Sequence, residues 1–397
     1  MVTPDPSVWQ SVEDREKLAK ELDGEGIHRI LTGHRWRCLV PGHLKCWDQN
    51  VGWVGGGICR TVARGLGVDP HVGWVKDAER ECSDLSEKDV DVILASGSPF
   101  VAFRLARNLS DKLRRPYVLD YRDPWTGNPH ARRPPRPATI REEARLLQGS
   151  AAVTVVSPSW GSDLDRRYGV GAKCHVVTNG YDSSEMAAVQ PYDFGHHAFV
   201  YTGNFYPPRR VLSPFMAALK CLNEPSSETS QEWYFHYYGA QEGHVREQAA
   251  HFGLTDRVVL HGKVPRHEAL SAVKGASLAV AIVSIEEEVS PDISGMVPAK
   301  IFEAIGLGTP VLLIAPSGSD ATAVTAPTGL VTSFTATDSR GIASYLKAVI
   351  RGQRHRSDNV EAFSWVTIGR KLDAVLRQAM SSHGHVQSDG RELEARR

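Results

Sequence analysis

Short apolar runs that end at a glycine or a charged residue recur along this chain, and helix-patterned segments separate them. The second half carries FVYTGN from Phe199, FHYYGAQ from Phe235, VVLHGKVP from Val258 and PAKIFEAIGLGTPVLLI from Pro298. The first half carries VDVILASGSPF, RPYVLDYRDPW, AAVTVVSPSW and KCHVVTNGYD, with FRLARNLSDKL and ATIREEARLLQ as helical segments between them. Runs of Val, Ile, Leu, Phe and Tyr this short, without polar alternation, fit strands buried on both faces. Alternating with helices, they predict an α/β chain with two parallel sheets whose loops gather at the strand carboxyl ends. Residues 1–60 show one weak strand pattern, in GIHRILTG and RWRCLV, and WVGGGICRTVARGL reads as a glycine-led helix. Near the other end, EAFSWVTIGRKLDAVLRQAM predicts an amphipathic helix with Phe363, Val366, Ile368, Leu372, Val375 and Leu376 largely on one side. From Ser381 the chain turns polar and is expected to be a flexible tail.

With 397 residues there is room for two domains, each with its own core. The balance of 41% hydrophobic and 23% charged residues is that of a soluble globular protein. No uninterrupted apolar run approaches the ~18 residues of a membrane span, and the polar, acidic start MVTPDPSVWQSVEDREK lacks the pattern of an export signal, so the expected location is cytoplasmic. Lys plus Arg and Asp plus Glu both total 46, and no nucleic-acid partner is expected. Positive charge concentrates in KLRRP at 112–116 and HARRPPRP at 130–137. This is either a solvated loop or a peripheral contact to anionic headgroups at the inner membrane surface, or to a pyrophosphate-linked acceptor. Six cysteines without an export signal point to reduced thiols.

Glycine at the carboxyl end of a buried strand lets the backbone approach a ligand, and a helix that starts there aims free N–H groups at phosphate. Gly203, Gly239 and Gly262 are therefore expected along one crevice edge, with the loop SGMVPAK from Ser294 to Lys300 opening the helix KIFEAIGLG. Taken singly, each glycine is a tight turn and Glu303 a solvated helix carboxylate; their order and spacing carry the reading. In DYRDPW, Asp120, Arg122 and Asp123 follow an apolar strand, where charge is excluded unless it points into a cleft or pairs. Gly55, Gly56 and Gly57 offer either a phosphate loop or a hinge. His34, Cys38, His43 and Cys46 carry zinc-competent side chains at a spacing looser than a CxxC pair, and loop histidines and buried thiols are the expected identity.

Together these motifs resemble the retaining, two-domain glycosyltransferases of the GT-B type, specifically family 4 (glycosyl transferases group 1), over roughly residues 200–380. That family follows the first strand of its rear domain with a glycine, an arginine and, five residues on, a lysine that hold the donor diphosphate. This chain has Gly203, Asn204 and Arg209 there, with Arg210 adjacent. The family also spaces two glutamates eight residues apart. Glu303 matches the second, which grips the ribose hydroxyls, and Gly295 stands at the first, beside Ser294, Met296 and Val297 of the donor loop. A subset with a PxK-hydrophobic-FE motif and a D-aromatic-R-D-P-W motif is closer still. In it Lys300 supplies the cation missing at Asn204, and Arg122 stands where a histidine often touches the donor sugar. The resemblance further implies that Gly262 and Val264 lie against the nucleobase and that Asp120, Ser96 and Ser98 serve the sugar or acceptor side. It implies two facing Rossmann-like domains with an interdomain cleft, the opening β-α unit being missing or atypical here.

The expected organisation is an acceptor-side domain at 1–182, a linker at 183–198, a nucleotide-sugar domain at 199–360, a helix at 361–380 that crosses back to the front domain and a tail at 381–397. The expected activity is transfer of a sugar, with retention, from a nucleoside diphosphate to a hydroxyl or amine of a small-molecule or lipid-linked acceptor. Arg122, Asp123, Arg209 and Lys300 are the expected catalytic groups, and no metal or other cofactor is expected. Two alternatives stay open: a nucleotide-sugar 2-epimerase on the same fold, and a donor-binding subunit without turnover.

Overall fold

The computed structural model describes residues 2–4, 30–32, 69, 71–128, 131, 134–223, 232–287, 289, 291–353 and 357–395. His34, Cys38, His43, Cys46 and the glycines at 55–57 lie outside the described residues, as does part of the basic stretch 130–137. The chain divides into two compact units. The first is Met1–Thr154 with Tyr168–His175 and Ala374–Arg397; the second is Val155–Arg167 with Val176–Asp373. The expected linker at 183–198 is thus internal to the second unit, and its first residues form a helix, Ser183–Ala188.

In the first unit a short parallel pair, β1 (Val2–Pro4) and β2 (Ile30–Thr32), precedes helix α1 (Val72–Glu81). The Trp74 indole donates to Thr32 Oγ1 at 2.6 Å and joins α1 to β2. A separate sheet follows in the order β3 (Ile93–Gly97), β4 (Tyr117–Tyr121), β5 (Ala152–Val155), β6 (Cys174–Val176). Helix α2 (Val101–Leu113) connects β3 to β4 and lays Val101, Leu105, Leu109 and Leu113 against Trp74, Val75 and Ala78 of α1. Those α2 positions recur at intervals of four, the spacing of one helix face. Helix α3 (Pro137–Gly149) leads into β5, and α4 (Pro158–Tyr168) into β6. Of the basic cluster at the end of α2, Lys112 donates to the Cys82 and Ser83 carbonyls at 2.8 and 2.6 Å, and Arg115 donates to the Glu87 carbonyl at 3.0 and 2.6 Å.

The second unit takes in all of α4 but Tyr168, continues with α5 (Ser183–Ala188) and is built on a parallel six-stranded sheet. Its strands are β7 (His197–Thr202), β8 (Trp233–Tyr238), β9 (Val258–Leu260), β10 (Leu278–Ile282), β11 (Val311–Ile314) and β12 (Val331–Phe334). They lie in the order β12-β11-β10-β7-β8-β9. The chain therefore builds outward from β7 on one side and then returns to build outward from β10 on the other. The strand order reverses between β7 and β10, the place where parallel α/β sheets bind ligands at their carboxyl ends. Helices α6 (Ser213–Leu222), α7 (Glu242–Phe252), α8 (Arg266–Gly275), α9 (Pro291–Ser294), α10 (Ala299–Gly306) and α11 (Asp320–Thr325) link the strands, and α12 (Ser339–Ile350) follows the last of them. Phe199, Tyr201, Phe215, Phe235, Tyr237 and Leu346 belong to its core, all of them nearly inaccessible.

The last helix, α13, runs from Trp365 to Ala395, past Ser381 where a flexible tail was expected. Val375 and Ala379 pack with Val118 and Ala152 in one apolar cluster. A helix anchored in this way extends at little cost, because each added residue gains a hydrogen bond without a new nucleation step. Among the described residues no helix is long and apolar enough to cross a membrane.

Candidate functional site

The three glycine-ended strands of the second unit are neighbours in its sheet, so their carboxyl ends form one edge. The Gly203 N–H donates to the Tyr238 carbonyl and the Gly239 N–H to the Gly262 carbonyl, both at 2.8 Å. Gly203 has φ +108°, and a side chain there would meet the Lys300 ammonium at 2.6 Å. The positive φ calls for glycine, and its missing side chain leaves room for the Lys300 ammonium. Gly262 also has a left-handed backbone, and the half-buried Val264 follows it.

The loop after Gly203 is held from two directions. Gln241 accepts from the Phe205 N–H and donates to its carbonyl, while the Tyr237 hydroxyl donates to the Gly203 carbonyl at 3.0 Å. Tyr206 and Arg210 exchange backbone hydrogen bonds of 2.8 and 3.0 Å, closing a tight turn that projects Arg209 and Arg210. Arg209 pairs with Glu286 at 3.0 Å, and the Arg210 guanidinium lies 5.2 Å from the Tyr206 ring centre. Asn204 is exposed, and its backbone carbonyl accepts from the Tyr201 hydroxyl at 3.2 Å.

Lys300 enters the same place from α10. Its ammonium donates to the Thr202 carbonyl and stands 4.6 Å from the centre of the Tyr201 ring. Burial first, and then the Arg210 charge, lower its pKa to about 8, against a smaller opposing pull from Glu303. Lys300 thus lies beside Gly203 within reach of the Arg210 charge, and Arg209 meets Glu286 after β10, so the three cations expected from separate motifs come from segments at the strand reversal.

Glu303, one helical turn beyond Lys300, accepts from Arg266 Nη1 at 2.6 Å. The same guanidinium donates through Nε and Nη2 to both oxygens of Glu185, at 2.9 and 3.0 Å. These hydrogen bonds, led by those to Glu185, hold the Arg266 pKa above the usual arginine value. Neither Arg266 nor Glu185 stood out in the motif reading. One signal was present: an arginine opens α8, where the helix dipole disfavours a cation.

In the SGMVPAK loop, Ser294, Met296 and Val297 are all buried. Any side chain at Gly295 would run into the Trp160 indole, so no carboxylate fits where the family has its first glutamate. Trp160 was also missed by the motif reading.

A chain of imidazoles crosses the sheet next to Gly262. His196 Nε2 lies 2.9 Å from His236 Nε2, and His236 Nδ1 lies 2.9 Å from His261 Nε2. His261 stacks on Tyr238 with ring centres 4.0 Å apart. Burial, and then the two neighbouring imidazoles, lower the His236 pKa to about 4.

In the first unit the β3/β4 register places Ser96 opposite Asp120. Asp120 is buried and accepts from Ser96 Oγ at 2.9 Å, Thr154 Oγ1 at 2.7 Å and Arg122 Nε at 2.9 Å. Asp120 is thereby an internal anchor that fixes the Arg122 side chain at the carboxyl end of β4. Ser98 and Asp123 are exposed at the same end. Beneath this loop, the fully buried Glu143 accepts from Thr126, from Tyr168 at 2.6 Å and from Tyr121 at 3.3 Å, which ties down the segment after Asp123.

Residues 18–185 match the profile of Glycosyltransferase Family 4, and residues 196–352 match that of Glycosyl transferases group 1. No curated protein matches the chain by sequence. Among solved structures, the chain is similar to a sucrose-phosphate synthase from Thermosynechococcus elongatus, with 16% identity and a TM-score of 0.57 over 80% of this chain and 79% of that one. A glycosyltransferase from Rickettsia africae has 14% identity and a TM-score of 0.57 over 96% and 90%. Anabaena HepE, solved in complex with UDP and glucose, has 15% identity and a TM-score of 0.54 over 91% and 89%. At these identities the likeness is one of fold. With both halves matched in order, and each built on its own parallel sheet, the chain belongs to the family 4-type glycosyltransferases of the GT-B fold.

Proposed function

We propose that the protein moves a sugar from a nucleoside diphosphate sugar to an acceptor hydroxyl or amine with retention at the anomeric carbon. The observation that carries this reading is the convergence of Gly203, Arg209, Arg210 and Lys300 at the strand reversal of the second unit, with Glu303 one turn away. With no side chain at Gly203, the diphosphate reaches the strand end beside Lys300, and the three cations meet the charge that grows on it as the bond to the anomeric carbon breaks. Arg209 is held to Glu286 by a half-exposed pair, which is worth little in water and is readily exchanged for phosphate. Glu303 receives the ribose hydroxyls, and Gly262 and Val264 lie against the base. Arg122, fixed by Asp120, serves the sugar side together with Asp123. The acceptor attacks on the face the diphosphate leaves, its proton passing to a diphosphate oxygen, so no protein nucleophile is needed. Because side chains supply the positive charge, the reading assigns no resident metal.

A second reading draws on Asn204 and Gly295, which leave two polar positions of the family pattern neutral: the chain binds the donor without turning it over. NMR of the product from an active donor and acceptor pair tests the first reading. Retained anomeric configuration, with activity that survives EDTA, is expected; an inverted product would refute the retaining mechanism.

A further inference from the structure

Arg266 has an odd combination of properties. Its side chain is 47% exposed, and its partners Glu185 and Glu303 are 38% and 25% exposed, so its ion pairs add little to folding stability. It also sits at the start of α8, where the helix dipole works against it. Yet its guanidinium is fully oriented. Two nitrogens form a fork on Glu185, and the third reaches Glu303 Oε1 at 2.6 Å. Such a fork fixes a planar group in a way a lysine ammonium does not reproduce. With Oε1 engaged, Glu303 Oε2 accepts from no described residue, and it remains available for a neighbouring hydroxyl pair.

We propose that Arg266 is a positioning residue for the ribose-binding carboxylate: clamped by Glu185, it holds Glu303 through Oε1 and turns Oε2 toward the ribose diol. This rests on the reading of Glu303 given above. Glu185 then acts at one remove, because it sets the plane of the guanidinium that in turn sets the carboxylate.

The test compares two probes by calorimetry on the intact protein: the tightest binder among UDP, GDP, ADP and CDP, and its 2′,3′-dideoxy counterpart. Arg266→Met is expected to weaken the ribose nucleotide roughly tenfold and to leave the dideoxy nucleotide unchanged. Arg266→Lys restores only part of the loss. In Glu303→Ala the further change Arg266→Met adds nothing. Equal losses for both probes would mark Arg266 as a general structural or charge residue and overturn the proposal. So would unchanged or tighter ribose-nucleotide binding in Arg266→Met while Glu303→Ala still weakens it. If Glu303→Ala weakens neither probe, the ribose reading itself fails and takes the proposal with it. Thermal unfolding of each variant confirms that the protein being titrated is folded.

Discussion

Lys300 keeps its ammonium under the Thr202 carbonyl and above the Tyr201 ring, and burial brings its pKa down to about 8. A diphosphate favours the protonated form, so affinity is full below that pKa and declines as the pH rises through it. After correction for the ligand's own titration, calorimetry across this range is expected to show the decline in the native protein and a flat profile in Lys300→Met. Glu303→Ala is expected to cost on the order of 1.5–3 kcal/mol in nucleotide affinity, since it removes a charged acceptor from the ribose hydroxyls. An unchanged affinity in a folded variant would remove Glu303 from the site. These residues were legible because each stands at a fixed offset from a strand end or within a short motif. Arg266 and Glu185 were not: they lie 81 positions apart, and their partnership exists only once α5, α8 and α10 are placed. Trp160 was hidden for the same reason, since the tight fit against Gly295 joins distant parts of the chain.

β4 shows how an element converts a buried charge into a placed side chain. Asp120 has three donors, and one of them, Arg122, was expected at the site together with it. Asp120→Asn turns one accepting oxygen into a donor that faces donors, and is expected to cost on the order of 2–3 kcal/mol, read as a lower urea midpoint with unchanged m. In the second unit His236 of β8 is the centre of the imidazole chain, between His196 just before β7 and His261 just after β9. The His236 pKa of about 4 lies below the ordinary value of 6.5, so between these values the unfolded state binds the proton first. Stability is full above 6.5 and falls as the pH drops toward 4, by roughly 2–3 kcal/mol for this group. His236→Gln is expected to lessen that fall, as followed by urea unfolding at a series of pH values. Strands rich in Val, Tyr and Phe were visible in the sequence, whereas β10 and β12 were not singled out. LAVAI in β10 alternates alanine with larger residues and suits a buried helix as well as a strand, and VTSF in β12 is half polar. The polar end of α13 was read as a tail because it has no apolar face of its own; the anchor at Val375, expected, and Ala379 lies ahead of it.

At the scale of the whole molecule, the two-sheet architecture followed from alternating periodicity, while the division into units did not. Val155–Arg167 groups with the second unit and Ala374–Arg397 with the first, a partition set by contacts between distant segments. Arg122 and Asp123 belong to the first unit, whereas Gly203, Lys300 and Glu303 belong to the second, so on the proposed reading binding and transfer are expected to separate by mutation. Asp123→Ala is expected to keep its nucleotide affinity and lose sugar transfer, as read by calorimetry and product assay on the same sample. The most direct test of the account is the release of nucleoside diphosphate by the intact protein from a panel of UDP-, GDP- and ADP-sugars over a mixed panel of hydroxyl and amine acceptors. The account predicts acceptor-dependent release from at least one donor, depressed ~100-fold or more in Lys300→Met. Tight nucleotide binding with no release from any donor would contradict it and leave a donor-binding subunit in its place.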